Sequence, residues 1–286
     1  MGVSPVVLPD VGSRDRARHW LEQLAGDEFR EVESRASVLS ANINLGSERA
    51  LGIAIVRDPD NPAPRARHGE MGLEQSLMLA ALVRNVIAED AGPRRRPLVA
   101  IVDTPGQAYG AEEERQCLSF ACASAVEAYI TARMAGHPVL TLVVGNAISG
   151  SFLAHGLQSD VIVALTGEGV SMYAMGIRSA ARIMRRTVAR IQQMASTVLP
   201  MSYAIEDAHR LGIIDELLVG IDPASPGRED VERIKHVLAG HLQCIREGQP
   251  VKRPLTENPS RAATVAVHTC MSEQWANADL SLERPG

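Results

Sequence analysis

Two glycine-bearing loops, each directly after a run of aliphatic residues, constrain the fold of this chain most strongly. The first loop, residues 103–110, follows the aliphatic run 97–102, and the second loop, residues 145–151, follows the run 138–144. A segment rich in Ala, Leu or Glu comes after each loop, so each unit is typical of a strand, a tight loop and a helix. Strands separated by helices predict crossover connections, and therefore an α/β fold with a largely parallel sheet.

The two loops also indicate a site for negative charge. Backbone N–H groups at the start of a helix have no partner within that helix, and glycine has no Cβ to keep a ligand away from them. Donors held in this way stabilise a developing anion without reorganising. The loops therefore predict an oxyanion hole. The alternative is that Gly106 and Gly110 only provide the positive φ of a turn.

The composition favours one globular domain and excludes several functions. The chain has 286 residues, of which 45% are hydrophobic, and a net charge of −5. That charge argues against nucleic acid as a partner. No apolar stretch approaches the roughly 20 residues of a membrane span, so we expect a cytoplasmic protein. The four cysteines lack CxxC spacing and have no histidine cluster beside them, which argues against a disulfide framework and against a metal site.

The strand and helix patterns divide the chain into three parts. We expect a helical N-terminal extension at 1–36, a main domain at 37–250 and a loosely ordered tail at 251–286, which is polar and contains proline. Within the main domain the patterns alternate between the two element types. Strands are expected near 37–45, 49–56, 97–102, 138–144, 160–165 and 211–218, and helices over 70–89, 112–134, 150–156, 177–198 and 228–247.

Short motifs in the two loops resemble those of a known superfamily. The run DTPG at 103–106 with EEER at 112–115, and the run SGS at 149–151, resemble the carboxyltransferase subunits of acyl-CoA carboxylases, which belong to the crotonase superfamily. This resemblance implies a ClpP/crotonase-like fold, a layered superhelix of ββα units around a mostly parallel sheet. It also implies that the two loops belong to one site.

Further motifs narrow the resemblance to the gamma subunits of biotin-independent malonate decarboxylases. These motifs are DPDN at 58–61, RAR at 65–67, AGHP at 135–138, AHG at 154–156 and YAMG at 173–176. The resemblance implies a beta subunit as partner, with the active site at the interface of the heterodimer. It further implies a malonyl thioester carried by the phosphoribosyl-dephospho-CoA group of an acyl carrier protein, with no cofactor bound directly to this chain. The product is an acetyl thioester, which a separate acyl carrier protein transferase subunit exchanges for malonate.

The resemblance assigns roles to residues of both loops. Gly150, next to Ser149, supplies one N–H of the oxyanion hole, and the second N–H comes from Gly106 or Gln107. Two occupants of this hole are left open. One is the thioester oxygen, and the other is a carboxylate, the departing CO2 or a water, with the thioester bound by the beta subunit. Ser149 stands where the carboxyltransferases have glycine, which does not fit tight packing against a biotin ring.

Several charged or titratable residues have both a functional and a structural interpretation. Protonation of the enolate needs an acid, for which Tyr109, His155 and a water molecule are candidates. A histidine between Ala154 and Gly156 is more often a hydrogen-bonded core residue. Arg65 and Arg67 lie in a proline-rich loop that is suited to holding the phosphate of the prosthetic group, and the alternative is that both are solvated.

Three functions follow from these observations. The first is the catalytic half of a malonyl-carrier decarboxylase, a carboxy-lyase. The second is a carboxyltransferase subunit of a biotin-dependent acyl-CoA carboxylase, which needs a cleft for carboxybiotin. The third is a non-catalytic scaffold that shapes the beta subunit. A bulky residue in place of Gly150 separates the third function from the others, because a scaffold does not depend on that N–H.

Overall fold

The strands of this chain form a single, mostly parallel sheet. The computed structural model describes residues 15–29, 37–90, 92–108, 110–252 and 254–277. Within these residues seven strands follow the order β1-β2-β3-β4-β5-β7, with β6 paired to β4. Among the pairs of these described strands, only β1 with β2 is antiparallel. The strands are β1 (Val38–Leu45), β2 (Glu48–Ile55), β3 (Leu98–Thr104), β4 (Val139–Ile148), β5 (Val161–Leu165), β6 (Ser171–Tyr173) and β7 (Glu216–Leu218).

Helices connect the strands and cover both faces of the sheet. They are α1 (Arg16–Ala25), α2 (Leu73–Glu89), α3 (Ala111–Arg115), α4 (Leu118–Met134), α5 (Ser149–Ala154), α6 (Ile177–Ile183), α7 (Val188–Ala195), α8 (Ile205–Arg210), α9 (Arg228–Arg246) and α10 (Ala262–Ala276). Among the described helices, none combines the length and the apolar character that crossing a membrane requires. The predicted alternation of strands and helices with a mostly parallel sheet is confirmed.

Two predicted helices are each divided in the structure. The helix expected over 112–134 is interrupted at Cys117, whose φ is 62°, and the helix expected over 177–198 is interrupted at Arg185, whose φ is 51°. A residue in the left-handed region cannot continue a right-handed helix. After the second break, α7 begins at Val188 and is capped by Thr187, whose side chain accepts a hydrogen bond from the Arg190 N–H at 3.2 Å. The prediction of continuous helices was therefore wrong at both places.

The core consists of two apolar layers, one on each face of the sheet. Successive side chains of a strand point to opposite faces, so Leu140 and Leu142 of β4 belong to one layer while Val139 belongs to the other. Helices α1 and α9 cover the first layer, and α2 and α4 cover the second. This is why β3 and β4 are apolar along nearly their whole length.

Helix α1 packs directly into the core of the main domain. Trp20, Leu21 and Leu24 are buried, and the Trp20 indole Nε1–H donates to the Pro223 carbonyl oxygen at 2.9 Å. The space above Gly52 is filled by Ile43 and Leu21, because a Cβ at position 52 would collide with Ile43 Cδ1 and lie 2.8 Å from Leu21 Cδ1. The rest of the predicted extension, 1–14 and 30–36, lies outside the described residues.

The predicted tail contains a helix, α10, that the sequence patterns did not indicate. No residue of α10 is buried, and Val267, Met271 and Trp275 are 59%, 64% and 71% exposed. Its apolar residues therefore give no signal of packing against the main domain. Residues 278–286 lie outside the described part of the chain.

The two tryptophans provide a matched test of this packing. Replacing the buried Trp20 by Ala removes an indole from the core and leaves the Pro223 carbonyl without its donor, so we expect a loss of about 3–5 kcal/mol in the free energy of unfolding. Replacing the exposed Trp275 by Ala should change that free energy by less than about 0.5 kcal/mol. Urea unfolding of both variants makes the measurement. Equal losses would contradict the placement of α1 in the core.

Candidate active site

The carboxyl ends of β3 and β4 bring the two glycine loops to one edge of the sheet. The strands are parallel neighbours, paired from Leu98 with Val139 to Val102 with Val143, and after an irregularity Thr104 pairs with Ala147. The first loop follows β3, while the second loop begins in the last part of β4 and continues into α5. The adjacency that the sequence predicted is thus present.

Asp103 holds the irregular part of the β3 and β4 pairing. Its Oδ1 accepts a hydrogen bond from the Asn146 backbone N–H at 2.8 Å. The Asn146 side-chain Oδ1 in turn accepts from the Ser171 hydroxyl at 3.0 Å, which ties in β6. Gly145 is required beside this carboxylate, because a Cβ there would collide with Asp103. Burial raises the pKa of the Asp103 carboxyl, while the Asn146 N–H and the charges of Arg16 and Arg57 oppose that shift.

A buried pair of hydroxyl groups joins the two loops directly. The Ser151 hydroxyl donates to the Ile148 carbonyl oxygen at 2.6 Å, and Ser151 Oγ lies 2.9 Å from Thr104 Oγ1. Because the single Ser151 proton is used for Ile148, Thr104 is the donor to Ser151. These bonds hold the start of α5, where Ser149 has a φ of 56°. Glycine takes that conformation without strain, which agrees with glycine at this position in the carboxyltransferases that the sequence resembles.

Gly150 and Gln107 face each other across the two loops. Gly150 lies in the first turn of α5, where N–H groups have no partner within the helix. The carboxamide of Gln107 packs so closely on Gly150 that a Cβ there would collide with Gln107 Oε1. Both residues, together with Ser149, line the same cavity. The structure thus brings together three of the residues that sequence analysis assigned to the site.

Gly106 serves the turn rather than the wall of the cavity. Its φ is 136°, a value that L side chains rarely adopt, and its carbonyl oxygen accepts from the Met71 N–H at 3.0 Å. The Met71 carbonyl oxygen accepts in turn from the Ala108 N–H at 2.8 Å. These two bonds anchor the first loop to the segment before α2. Gly106 does not line the cavity, so Gln107 is the first-loop residue that faces it.

The cavity next to Gln107 and Gly150 has a volume of about 1100 Å³ and a mainly apolar wall. Tyr173 and Tyr203 form part of this wall, with ring centroids 4.7 Å apart, and burial raises the pKa of both hydroxyls. Sequence analysis missed Tyr203, because no motif surrounds it. The apolar lining includes Phe152, Leu153, Leu157, Met172, Met175, Ile191 and Met201.

His155 lies in the core behind α5 and does not line the cavity. Its Nδ1 is 3.0 Å from the Tyr129 hydroxyl and its Nε2 is 3.3 Å from the Ile101 carbonyl oxygen. A carbonyl can only accept, so Nε2 carries the proton and Nδ1 accepts from Tyr129. Complete burial lowers the pKa of the imidazole to about 4. The structure therefore supports the core interpretation of this histidine, and it does not place His155 as a proton donor to the site. Tyr109, the other side chain considered as the acid, lies outside the described residues.

Arg65 and Arg67 are engaged within their own loop. Arg65 Nη1 is 2.8 Å from Glu70 Oε1, and Arg67 Nε–H donates to the Asn61 carbonyl oxygen at 2.7 Å. The Asn61 side chain donates in turn to Asp58 Oδ2 at 2.9 Å. Neither arginine lines the cavity. Their role toward a phosphate stays a prediction.

No group of three or more His, Cys, Asp or Glu side chains is placed to hold a metal ion within the described part of the chain.

Comparison with solved structures defines the class of this fold. A transcarboxylase 12S structure superposes with a TM-score of 0.62 at 20% identity, over 87% of this chain and 44% of that chain. The chain therefore has the crotonase fold of the carboxyltransferases, as the sequence resemblance implied.

Sequence comparison gives the family. The profile of the malonate decarboxylase gamma subunit, MdcE, matches residues 66–275, and the chain belongs to this family. It is 39% identical to a chain of the Pseudomonas malonate decarboxylase MdcD-MdcE hetero-dimer, with a TM-score of 0.81 over 92% of this chain and 100% of that chain. It is also 32% identical over 183 residues to the malonyl-S-ACP:biotin-protein carboxyltransferase MADD of Malonomonas rubra. That match covers 63% of this chain and 59% of the length of the relative. The resemblance drawn from the motifs is confirmed.

The buried imidazole makes the stability of the fold depend on pH. The pKa of His155 is about 4 in the folded state and 6.5 ordinarily, so between these values the unfolded chain binds a proton that the folded chain does not. We therefore expect His155 to contribute a loss of up to about 1.4 kcal/mol per pH unit as pH falls from 6.5 to 4. The variant His155→Gln should lack this part of the dependence of the free energy of unfolding on pH.

Urea unfolding between pH 4 and pH 8 compares the two proteins. The variant is expected to be less stable at pH 8, because it loses the imidazole contacts, so only the slope below pH 6.5 is diagnostic. Parallel slopes in the wild type and the variant would contradict the account of His155.

Proposed function

We propose that this chain forms, with a beta subunit, the component of malonate decarboxylase that removes CO2 from a malonyl thioester on an acyl carrier protein. Membership of the gamma subunit family supports this proposal. The observation that carries it is the position of Gln107 and Gly150, side by side on the wall of one cavity at the carboxyl edge of the sheet. Two loops from separate strands thus offer backbone donors to a single bound group.

The chemistry requires a place for negative charge. When the bond between the carboxylate carbon and Cα breaks, its electron pair moves onto Cα and the thioester carbonyl, which gives an enolate and CO2. The N–H groups of Gln107 and Gly150 hold the enolate oxygen, and one such donor is typically worth roughly 3 kcal/mol of the barrier. A proton then adds to Cα, from water or from Tyr109, and the product is the acetyl thioester. The apolar wall keeps bulk water away from the enolate.

A beta subunit completes the cleft in this proposal. The related Pseudomonas structure is a heterodimer of MdcD and MdcE. Near the cavity this chain exposes large apolar side chains, among them Leu153 at 50%, Ile183 at 66% and Met184 at 41%. Large apolar side chains exposed around a cavity are typical of protein interfaces. The phosphoribosyl-dephospho-CoA group and the transferase subunit belong to the same proposal.

A second function, carboxyl transfer to biotin, is favoured by one relative. MADD is a malonyl-S-ACP:biotin-protein carboxyltransferase. Against it stands the match of residues 66–275 to the gamma subunit of malonate decarboxylase. The two functions differ in a simple property, because carboxyl transfer requires biotin and is blocked by avidin.

The decisive variant replaces Gly150. In a complex of this chain with its beta subunit, Gly150→Val should lower kcat for CO2 release from malonyl-CoA on the order of 10²-fold, because the side chain displaces both Gln107 and the bound oxygen. Gly240→Val is the matched control, since a Cβ at Gly240 in α9 meets no atom within 4 Å. The control should keep full activity.

The same assay separates the alternatives. This chain alone should release little CO2, and the beta subunit should restore turnover without biotin and in the presence of avidin. Unchanged kcat in the Gly150→Val complex would show a scaffold rather than a catalytic half. Loss of turnover with avidin would support carboxyl transfer to biotin. Co-purification of both variants with the beta subunit confirms that the assembly is intact.

A further inference from the structure

A buried histidine stands at the end of the short helix that carries Gly150. Helix α5 has only six residues, and His155 follows it directly, with its backbone N–H donating to the Ser151 carbonyl oxygen at 2.8 Å. A helix of this length is not stable by itself in water. The position of α5, and with it the direction of the Gly150 N–H, therefore depends on contacts with neighbouring elements.

The first turn of α5 is held by hydroxyl groups. Thr104 of β3 donates to Ser151 Oγ, and Ser151 donates to the Ile148 carbonyl oxygen. Near the other end of the helix, Phe152 and Ala154 are buried. Burial of apolar groups stabilises the packing but is not directional. The orientation of that end therefore needs hydrogen bonds of its own.

The imidazole of His155 supplies these hydrogen bonds. Its Nε2–H donates to the Ile101 carbonyl oxygen at 3.3 Å, and its Nδ1 accepts from the Tyr129 hydroxyl at 3.0 Å. Burial raises the pKa of the Tyr129 hydroxyl, so the phenol keeps the proton that it donates. Ile101 belongs to β3 and Tyr129 to α4. His155 thus joins α5 to a strand and to a second helix.

The bond to Ile101 connects the two segments that carry the proposed backbone donors. Ile101 lies in β3, which leads directly into the loop with Gln107, whereas His155 ends the helix with Gly150. The bond between Thr104 and Ser151 connects the same two segments at the start of α5. A single hydrogen bond would leave the helix free to tilt about it, and two separated bonds prevent that tilt.

We propose that His155 and Tyr129 are positioning residues, which hold α5 so that the Gly150 N–H meets the same oxygen as the Gln107 N–H. The proposal rests on the function proposed above. Neither side chain lines the cavity, so both act through α5 and not on the substrate. A misplacement of about 1 Å in a catalytic group costs up to about 100-fold in rate, and buried hydrogen bonds behind a site are a means of avoiding it.

The most conservative test removes one hydroxyl group. Tyr129→Phe keeps the ring in the core but leaves His155 Nδ1 without a donor. In the complex with the beta subunit, this variant should lower kcat for CO2 release from malonyl-CoA about 5–20-fold, because the Gly150 N–H is less well placed in the transition state. We expect KM to stay within about twofold, since the cavity wall is unchanged. Unchanged kcat would overturn the proposal.

A double variant tests whether the two residues act through one hydrogen bond. His155→Gln also removes the acceptor for Tyr129, so it should lower kcat at least as far as Tyr129→Phe. Combining both substitutions should lower kcat no more than about twofold below His155→Gln alone, because the shared bond is already lost. Losses that multiply in the double variant would overturn the proposed pair.

The matched control is a second buried histidine away from the site. His137 comes just before β4, at the amino end of the sheet, and its Nδ1 is 2.9 Å from the Arg96 carbonyl oxygen. It does not line the cavity. His137→Gln should therefore leave kcat and KM within about twofold of the wild type. An equal loss of kcat in this variant would show a general effect of core substitutions and would contradict positioning by His155.

Amide hydrogen exchange distinguishes failure of the anchoring from failure of the reaction, because it needs no turnover. In the Tyr129→Phe complex, the amides of α5 should exchange about 3–10-fold faster than in the wild-type complex, and those of α2 should not change. If exchange in α5 rises in this way but the wild type releases no CO2 from malonyl-CoA, the proposed function fails while the anchoring of α5 stands. Equal exchange of α5 in both complexes would refute the anchoring.

Discussion

The parallel pairing of β3 with β4 is the constraint on which the rest of the site depends. Because the two strands are neighbours and run in the same direction, the loops that follow them must leave the sheet at the same edge. Side-chain hydrogen bonds then join the loops, through Asp103 with the Asn146 N–H and through Thr104 with Ser151. Segments about forty positions apart thereby form one rigid surface, on which Gln107 meets Gly150.

This arrangement has features that are unfavourable in free energy, and the surrounding core offsets them. The Asp103 carboxylate is partly desolvated, Ser149 adopts a positive φ, and the Thr104 and Ser151 hydroxyls are removed from water. Such features persist only where neighbouring structure determines them. Here apolar layers on both faces of the sheet, with α1 inserted into one of them, hold β3 and β4 in place. These unfavourable features lie in the loops that would hold the substrate, where the hydrogen-bond donors must already be oriented before the reaction.

Features with local sequence signals were predictable, and features that depend on distant partners were not. The aliphatic runs and glycines were sufficient to predict the two loops, and the family resemblance then selected Gly150 together with Gly106 or Gln107. The helix breaks at Cys117 and Arg185 involve residues that seldom adopt positive φ, so no residue type marked them. The pairing of Arg65 had a local signal in Glu70, which the interpretation as a phosphate ligand disregarded. Tyr203 reaches the cavity wall only through the tertiary fold, which places its ring centroid 4.7 Å from that of Tyr173.

The central claim is that the amides of Gln107 and Gly150 bind one oxygen of the acyl group. The most direct test is a crystal structure of the complex with the beta subunit, bound to a malonyl thioester analogue that cannot lose CO2. The account predicts the thioester oxygen about 3 Å from both amide nitrogens. A thioester oxygen bound only by loops of the beta subunit, with these two amides facing water or protein, would contradict it.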